Sequence, residues 1–205
     1  LYHGWLYDIS GNCLEQPGEP STKRFNEKVH HISYPTIEFG GLILTYMGTG
    51  EPPLAPNYEF LTLPEANRFV SKFHHDCNYL QGNEGNIDPQ HLSFLHRMLD
   101  GGDRPEEVTG SDETPNTYFG ADATPTIKVD ETDFGLRIFA VRRDGPDAEY
   151  VRISNFIYPN LAAFPGRYPT GYGVNWHVPI DDTHHWKFSF IFNRSGPIDL
   201  GIPAT

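Results

Sequence analysis

Asn78-Tyr79-Leu80-Gln81-Gly82-Asn83-Glu84-Gly85-Asn86-Ile87-Asp88-Pro89-Gln90-His91-Leu92-Ser93-Phe94-Leu95-His96-Arg97 sets two histidines and a carboxylate at a spacing suited to one reactive metal ion. Asp88 followed by Pro89 is a helix-start signal, because an Asx side chain caps free backbone N–H groups and proline fits the first helical position. A helix is predicted from about Pro89 to Met98. His91 and His96 lie five residues apart, which at ~100° per residue leaves them ~140° apart on an ideal helix. Two ligands on one ion therefore require a distorted helix or one histidine at its mouth. The i, i+4 pair of zinc proteases, with Glu after the first His, does not fit, since Gln90 and Leu92 flank His91. On these residues alone the plainer alternative stays open: one histidine satisfied in a core and the other at the surface.

The chain begins Leu1-Tyr2-His3-Gly4-Trp5-Leu6-Tyr7-Asp8, without an initiator Met, and reads as a cut edge. Rieske proteins hold a [2Fe–2S] cluster with two cysteines on one iron and two histidines on the other, and their second ligand pair reads Cys-x-x-His-Gly-Trp. The order His-Gly-Trp, then Glu-x3-Asp-x2-His-x4-His, resembles the large (alpha) subunit of phthalate-dioxygenase-like Rieske non-haem iron aromatic ring-hydroxylating oxygenases. Tyr7–Asn12, Tyr34–Gly41 and Tyr46–Gly48 add to the likeness, which covers almost the whole chain.

That resemblance implies His91 and His96 as ligands of mononuclear Fe(II) in a facial triad with a later carboxylate, and His3 as a cluster ligand whose matching cysteine precedes Leu1. It implies Asp88 as the acid bridging to a cluster histidine of the neighbouring subunit, and places Glu84 at a pocket position filled by Asn in some relatives. The third iron ligand is expected beyond Thr205, so the chain is expected to be a fragment. Asp181 and Asp182 are the substitutes within reach, but Pro179-Ile180-Asp181-Asp182-Thr183 is also an ordinary turn signal. The implied activity is O₂-dependent mono- or dioxygenation, or O-dealkylation, of an aromatic compound. Electrons would come from NAD(P)H through a reductase or ferredoxin, in a homotrimer or multiple of three. Arg137, Arg142, Arg152 and Lys187 are the cationic candidates for an aromatic carboxylate.

Composition sets bounds. A formal charge of −12 argues against a nucleic-acid partner, which needs clustered Lys and Arg. No apolar run approaches the ~18 residues of a membrane span, and no signal peptide is visible, so a cytoplasmic enzyme is expected. Cys13 and Cys77 sit at no metal-like spacing and read as reduced structural thiols.

The organisation expected is α+β. Residues 1–48 read as short strands and turns, the end of a Rieske β domain, with Ser10-Gly11-Asn12 as a hairpin turn and Gly41–Met47 as a buried strand. Residues 49–68, with Pro52, Pro53 and Pro56, read as a linker. Residues 69–205 read as part of a catalytic helix-grip (StAR-like) domain, antiparallel strands about a long helix. Phe69–Cys77 is expected as a strand whose adjacent His74 and His75 face opposite sides. Leu136–Arg142 and Tyr150–Ile157 are strands joined through Asp144-Gly145-Pro146, and Asp100–Asn116 is a polar loop or lid. Trp186, Phe188, Phe190 and Phe192 alternate with His185, Lys187, Ser189 and Ile191, giving an aromatic and a mixed face. Two other classes remain: a cupin-like oxygenase or hydrolase using His74, His91, His96 and Asp181, and a non-catalytic Rieske electron-transfer protein.

Overall fold

The computed structural model describes residues 3–20, 22, 24–95, 122–143, 146–165 and 172–198. Its chain divides into two units, Leu1–Asn57 and Tyr58–Thr205.

In the smaller unit β1 (Leu6–Tyr7) and β2 (Cys13–Glu15) pair antiparallel. Gly11 takes a φ of 89° in the turn between them, and the Asp8 carboxylate ties that turn by accepting from the Ser10 and Asn12 amides at 2.9 and 2.8 Å. A second ribbon joins β3 (Thr36–Phe39) to β4 (Leu42–Thr45) around Gly40 and Gly41, whose φ values of 65° and 82° suit glycine. The strand expected over Gly41–Met47 is thus shorter, and it is not buried: Leu42 is covered but Ile43 is 75% exposed.

The larger unit begins with residues read as linker. Helix α1 (Glu59–Thr62) buries Phe60 and Leu61, and the Phe60 ring lies 4.7 Å from that of Phe190. Burying two such side chains stabilises by roughly 3–6 kcal/mol, so Glu59–Thr62 is held against the sheet of the larger unit. The sheet that follows has seven described strands: β5 (Arg68–His75), β6 (Thr126–Thr132), β7 (Gly135–Arg143), β8 (Glu149–Ile157), β9 (Leu161–Pro165), β10 (Tyr172–Pro179) and β11 (His185–Phe192). Every pairing is antiparallel, in the order β5-β11-β10-β9-β8-β7-β6. Strand β5, first in the chain, closes on β11, the last.

Helix α2 (Tyr79–Ile87) packs over β8, β9 and β10. The sequence instead predicts a helix ten residues further on, from about Pro89. Gly82, Gly85, Asn83 and Asn86 give the segment weak intrinsic helicity, so packing on the sheet and the Asn78 cap, which accepts from the Leu80 amide at 2.9 Å, hold it helical. The next helix, α3, starts at Leu92 and is described to Leu95. His96 and the Asp100–Asn116 segment lie outside the described residues. No described helix is long and apolar enough to cross a membrane.

Candidate metal centre

Asp88 is the C-cap of α2, and it also caps the turn that follows. Its Oδ1 accepts from the Gln90 amide at 2.8 Å and its Oδ2 from the His91 amide at 3.3 Å. The Asx reading therefore holds, while the helix it opens is delayed to Leu92. His91 sits at the mouth of α3, where its carbonyl accepts from the Phe94 and Leu95 amides at 3.0 and 2.8 Å. Its Nδ1 lies 3.5 Å from Asp88 Oδ2, and its side chain is 26% exposed. A carboxylate at one ring nitrogen is how proteins orient an imidazole that presents the other to a metal.

Arg142 is wholly buried on β7. Its Nη2 donates to the Pro89 carbonyl at 2.7 Å and to Ser93 Oγ at 3.3 Å, and its Nε to the Asp122 carbonyl at 3.2 Å. Two of these bonds land on either side of His91. The sequence offered Arg142 as a carboxylate binder; it is instead a clamp on the turn, with burial lowering its pKa. The Asp122 carboxylate is itself held below the usual range by the Arg143 and Thr124 amides.

Beneath α2 runs a buried polar chain whose direction one carbonyl dictates. The Cys77 carbonyl can only accept, so His185 donates from Nδ1 at 2.8 Å, and in the tautomer this selects Nε2 accepts from His177 Nδ1 at 3.0 Å. His177 Nε2 is left to accept from Asn86 Nδ2 at 3.2 Å, and the same amide group donates to the Gly82 carbonyl at 2.7 Å. Asn86 Oδ1 accepts from Asn175 Nδ2, and Asn175 Oδ1 from Ser189 Oγ, the latter at 2.7 Å. His177 therefore has no room for a second ring proton, which would set an N–H against the Asn86 amide N–H. Burial, aided by His185, lowers the His177 pKa to about 3. The chain fixes Asn86, two residues before Asp88.

The other predicted residues lie elsewhere. Glu84 is exposed, its Oε2 accepting from Gln81 Nε2 at 3.2 Å, whereas its neighbour Asn83 is the buried residue of that turn. His3 is exposed in the smaller unit. Asp181 forms the turn between β10 and β11, accepting from the Thr183 amide at 2.8 Å and from His184 Nδ1 at 2.9 Å. Those bonds, the amide first, lower its pKa to about 2. His74 packs on Trp186 and His75 on His185, from opposite sides of β5. Arg137 is exposed beside Asn155, Arg152 donates to the Pro165 carbonyl at 3.4 Å, and Lys187 lies over Phe73.

A family model described as LigXa C-terminal domain like matches residues 45–197. The chain belongs to that family. It is 35% identical over 197 residues to the phthalate 4,5-dioxygenase oxygenase subunit of Pseudomonas putida, a match covering 90% of this chain and 42% of that protein. To the 3-chlorobenzoate-3,4-dioxygenase oxygenase subunit of Comamonas testosteroni it is 33% identical over 205 residues, covering 99% and 46%. This LigXa-like chain therefore spans less than half the length of those Rieske-type relatives. Among solved structures, the terminal oxygenase of carbazole 1,9a-dioxygenase from Nocardioides aromaticivorans IC177 matches with a TM-score of 0.58 at 19% identity, over 92% of this chain and 56% of that one. Dicamba monooxygenase matches with a TM-score of 0.59 at 16% identity, over 92% and 57%. The antiparallel sheet gripping α2 is the fold these oxygenases share.

Proposed function

We propose that this chain carries the iron-binding part of an oxygenase subunit that uses O₂ to hydroxylate, mono- or dioxygenate, or O-dealkylate an aromatic compound. The observation that carries the reading is the Asp88–His91 turn, clamped by Arg142 and anchored through Asn86, in a chain whose relatives are oxygenase subunits.

The residues present fit a ferrous ion: an imidazole oriented by a carboxylate on a rigid turn is a suitable donor. His91 and, by the family pattern, His96 would hold it, with a carboxylate from elsewhere in the protein. Iron bound there supplies O₂ activation. Arg142 keeps the His91 turn from shifting as substrate and O₂ enter. Asp88 orients His91 and, in the neighbouring-subunit reading, would meet an imidazole that holds the cluster of the adjacent protomer. His3 would hold the [2Fe–2S] cluster, residues 1–48 being the end of its domain and 49–68 the linker to the catalytic part. Glu84, exposed on α2, would act from the rim. Electrons would come from NAD(P)H through a reductase or ferredoxin; a solved complex of the carbazole oxygenase with a ferredoxin, matched at TM-score 0.50, supports such a partner.

The test is His91→Ala in the full-length protein. Expected is loss of one iron per subunit and of product formation from an aromatic carboxylate, NADH, O₂ and reductase, with the cluster's electron-resonance signal retained. Retained iron and turnover would refute the reading.

A further inference from the structure

Strands β5 and β11 place His75 directly opposite His185, their rings 4.9 Å apart and within 17° of parallel. Cys77 follows two residues later. One donor atom from each of these three residues lies within 4.8 Å of the others. Two imidazoles and a thiol are the donor set of zinc or cobalt, not of magnesium or calcium, which take oxygen.

We infer that His75, Cys77 and His185 form a binding site for a zinc-like divalent cation. His75 and Cys77 are half-buried, so the ion can arrive from solvent, while His185 is buried and supplies a rigid wall. The bond from His185 Nδ1 to the Cys77 carbonyl is the outer contact by which ligating imidazoles are held, and it leaves Nε2 as the donor atom. Asp76, exposed beside the site, favours a cation; Lys187 opposes it. Tetrahedral ligands stand about 3–4 Å apart, so small side-chain rotations close the group. Binding deprotonates the Cys77 thiol, the proton passing to solvent. Because His185 Nε2 now accepts from His177, the ion displaces that hydrogen bond, so cation binding and the buried chain under α2 compete for one atom. The site shares no ligand with the iron reading, and its test reads zinc content and thiol protection, which do not depend on whether His91 holds iron.

The iron-loaded, thiol-reduced full chain is dialysed against micromolar Zn²⁺, alongside C77S and H75N, and metal content is measured. In parallel, the alkylation rate of Cys77 is followed by peptide mass spectrometry with and without Zn²⁺. Expected is one more zinc per chain in the wild type than in either variant, and at least tenfold slower alkylation of Cys77 when zinc is present. Equal zinc in all three proteins, or an alkylation rate that zinc leaves unchanged, would overturn the site. The alkylation measurement needs no variant, so it decides even where H75N does not fold.

Discussion

At Gly82 the backbone of α2 lies against two imidazoles: an added Cβ would stand 2.5 Å from His177 Nδ1 and 3.0 Å from His185 Nε2. Two effects compete in Gly82→Ala. Alanine favours the helix by about 1 kcal/mol, but overpacking costs about 1–3 kcal/mol and a displaced His177–His185 bond about 1 kcal/mol more. Net destabilisation of roughly 1–3 kcal/mol is expected, read as a lower urea midpoint at unchanged slope. His177 makes a second prediction at this scale. Its folded pKa, about 3, lies below the ordinary ~6.5, so the unfolded chain takes the proton first. The stabilisation is therefore complete above pH ~6.5 and is lost as pH falls from there toward 3. Between pH 7 and 4, in zinc-free buffer, the wild type should lose at least ~2 kcal/mol more stability than His177→Gln; equal losses would show that His177 is not held neutral. Residue types at these positions were plain in the sequence, but their meeting was not, since Asn86 and His177 lie 91 positions apart.

Among the elements, α2 and β11 show where pattern reading stopped. Alternation along β11 correctly separated an aromatic from a mixed face: Phe190 and Phe192 pack on Phe60, and Trp186 carries the Lys72 ammonium at 3.9 Å. The mixed face is not a solvated one, because His185 and Ser189 belong to the chain beneath α2. Helix α2 itself was hidden by its glycines and asparagines, which serve close approach and polar bonding at the cost of helicity. The clamp on the following turn belongs to this scale. Arg142→Met should cost about 2–4 kcal/mol, since the Pro89 and Asp122 carbonyls and Ser93 lose a buried donor. It should also weaken iron binding roughly 10–100-fold by loosening the His91 turn. Chemical denaturation and iron titration of the variant check both, and unaltered iron affinity would remove Arg142 from the positioning machinery.

For the molecule as a whole, the proposed route from one subunit's cluster to the neighbour's iron requires assembly. Light scattering of the full-length protein should give a mass that is a multiple of three protomers, and Asp88→Asn should leave that mass and the iron content intact while slowing product formation at least tenfold. A functional monomer would contradict the intersubunit route. From the chain alone came the α+β class, the β7–β8 hairpin, the aromatic face of β11, the Asp88 cap and the family, because short-range periodicity, turn chemistry and ordered motifs are local properties. Tertiary structure decided the closure of β5 on β11, the burial of Arg142 against the Pro89 carbonyl and Ser93, the His185–His177–Asn86 relay and the gathering of His75, Cys77 and His185. Each of these depends on which distant side chains a sheet register brings face to face, and on which polar atoms must then find partners away from water.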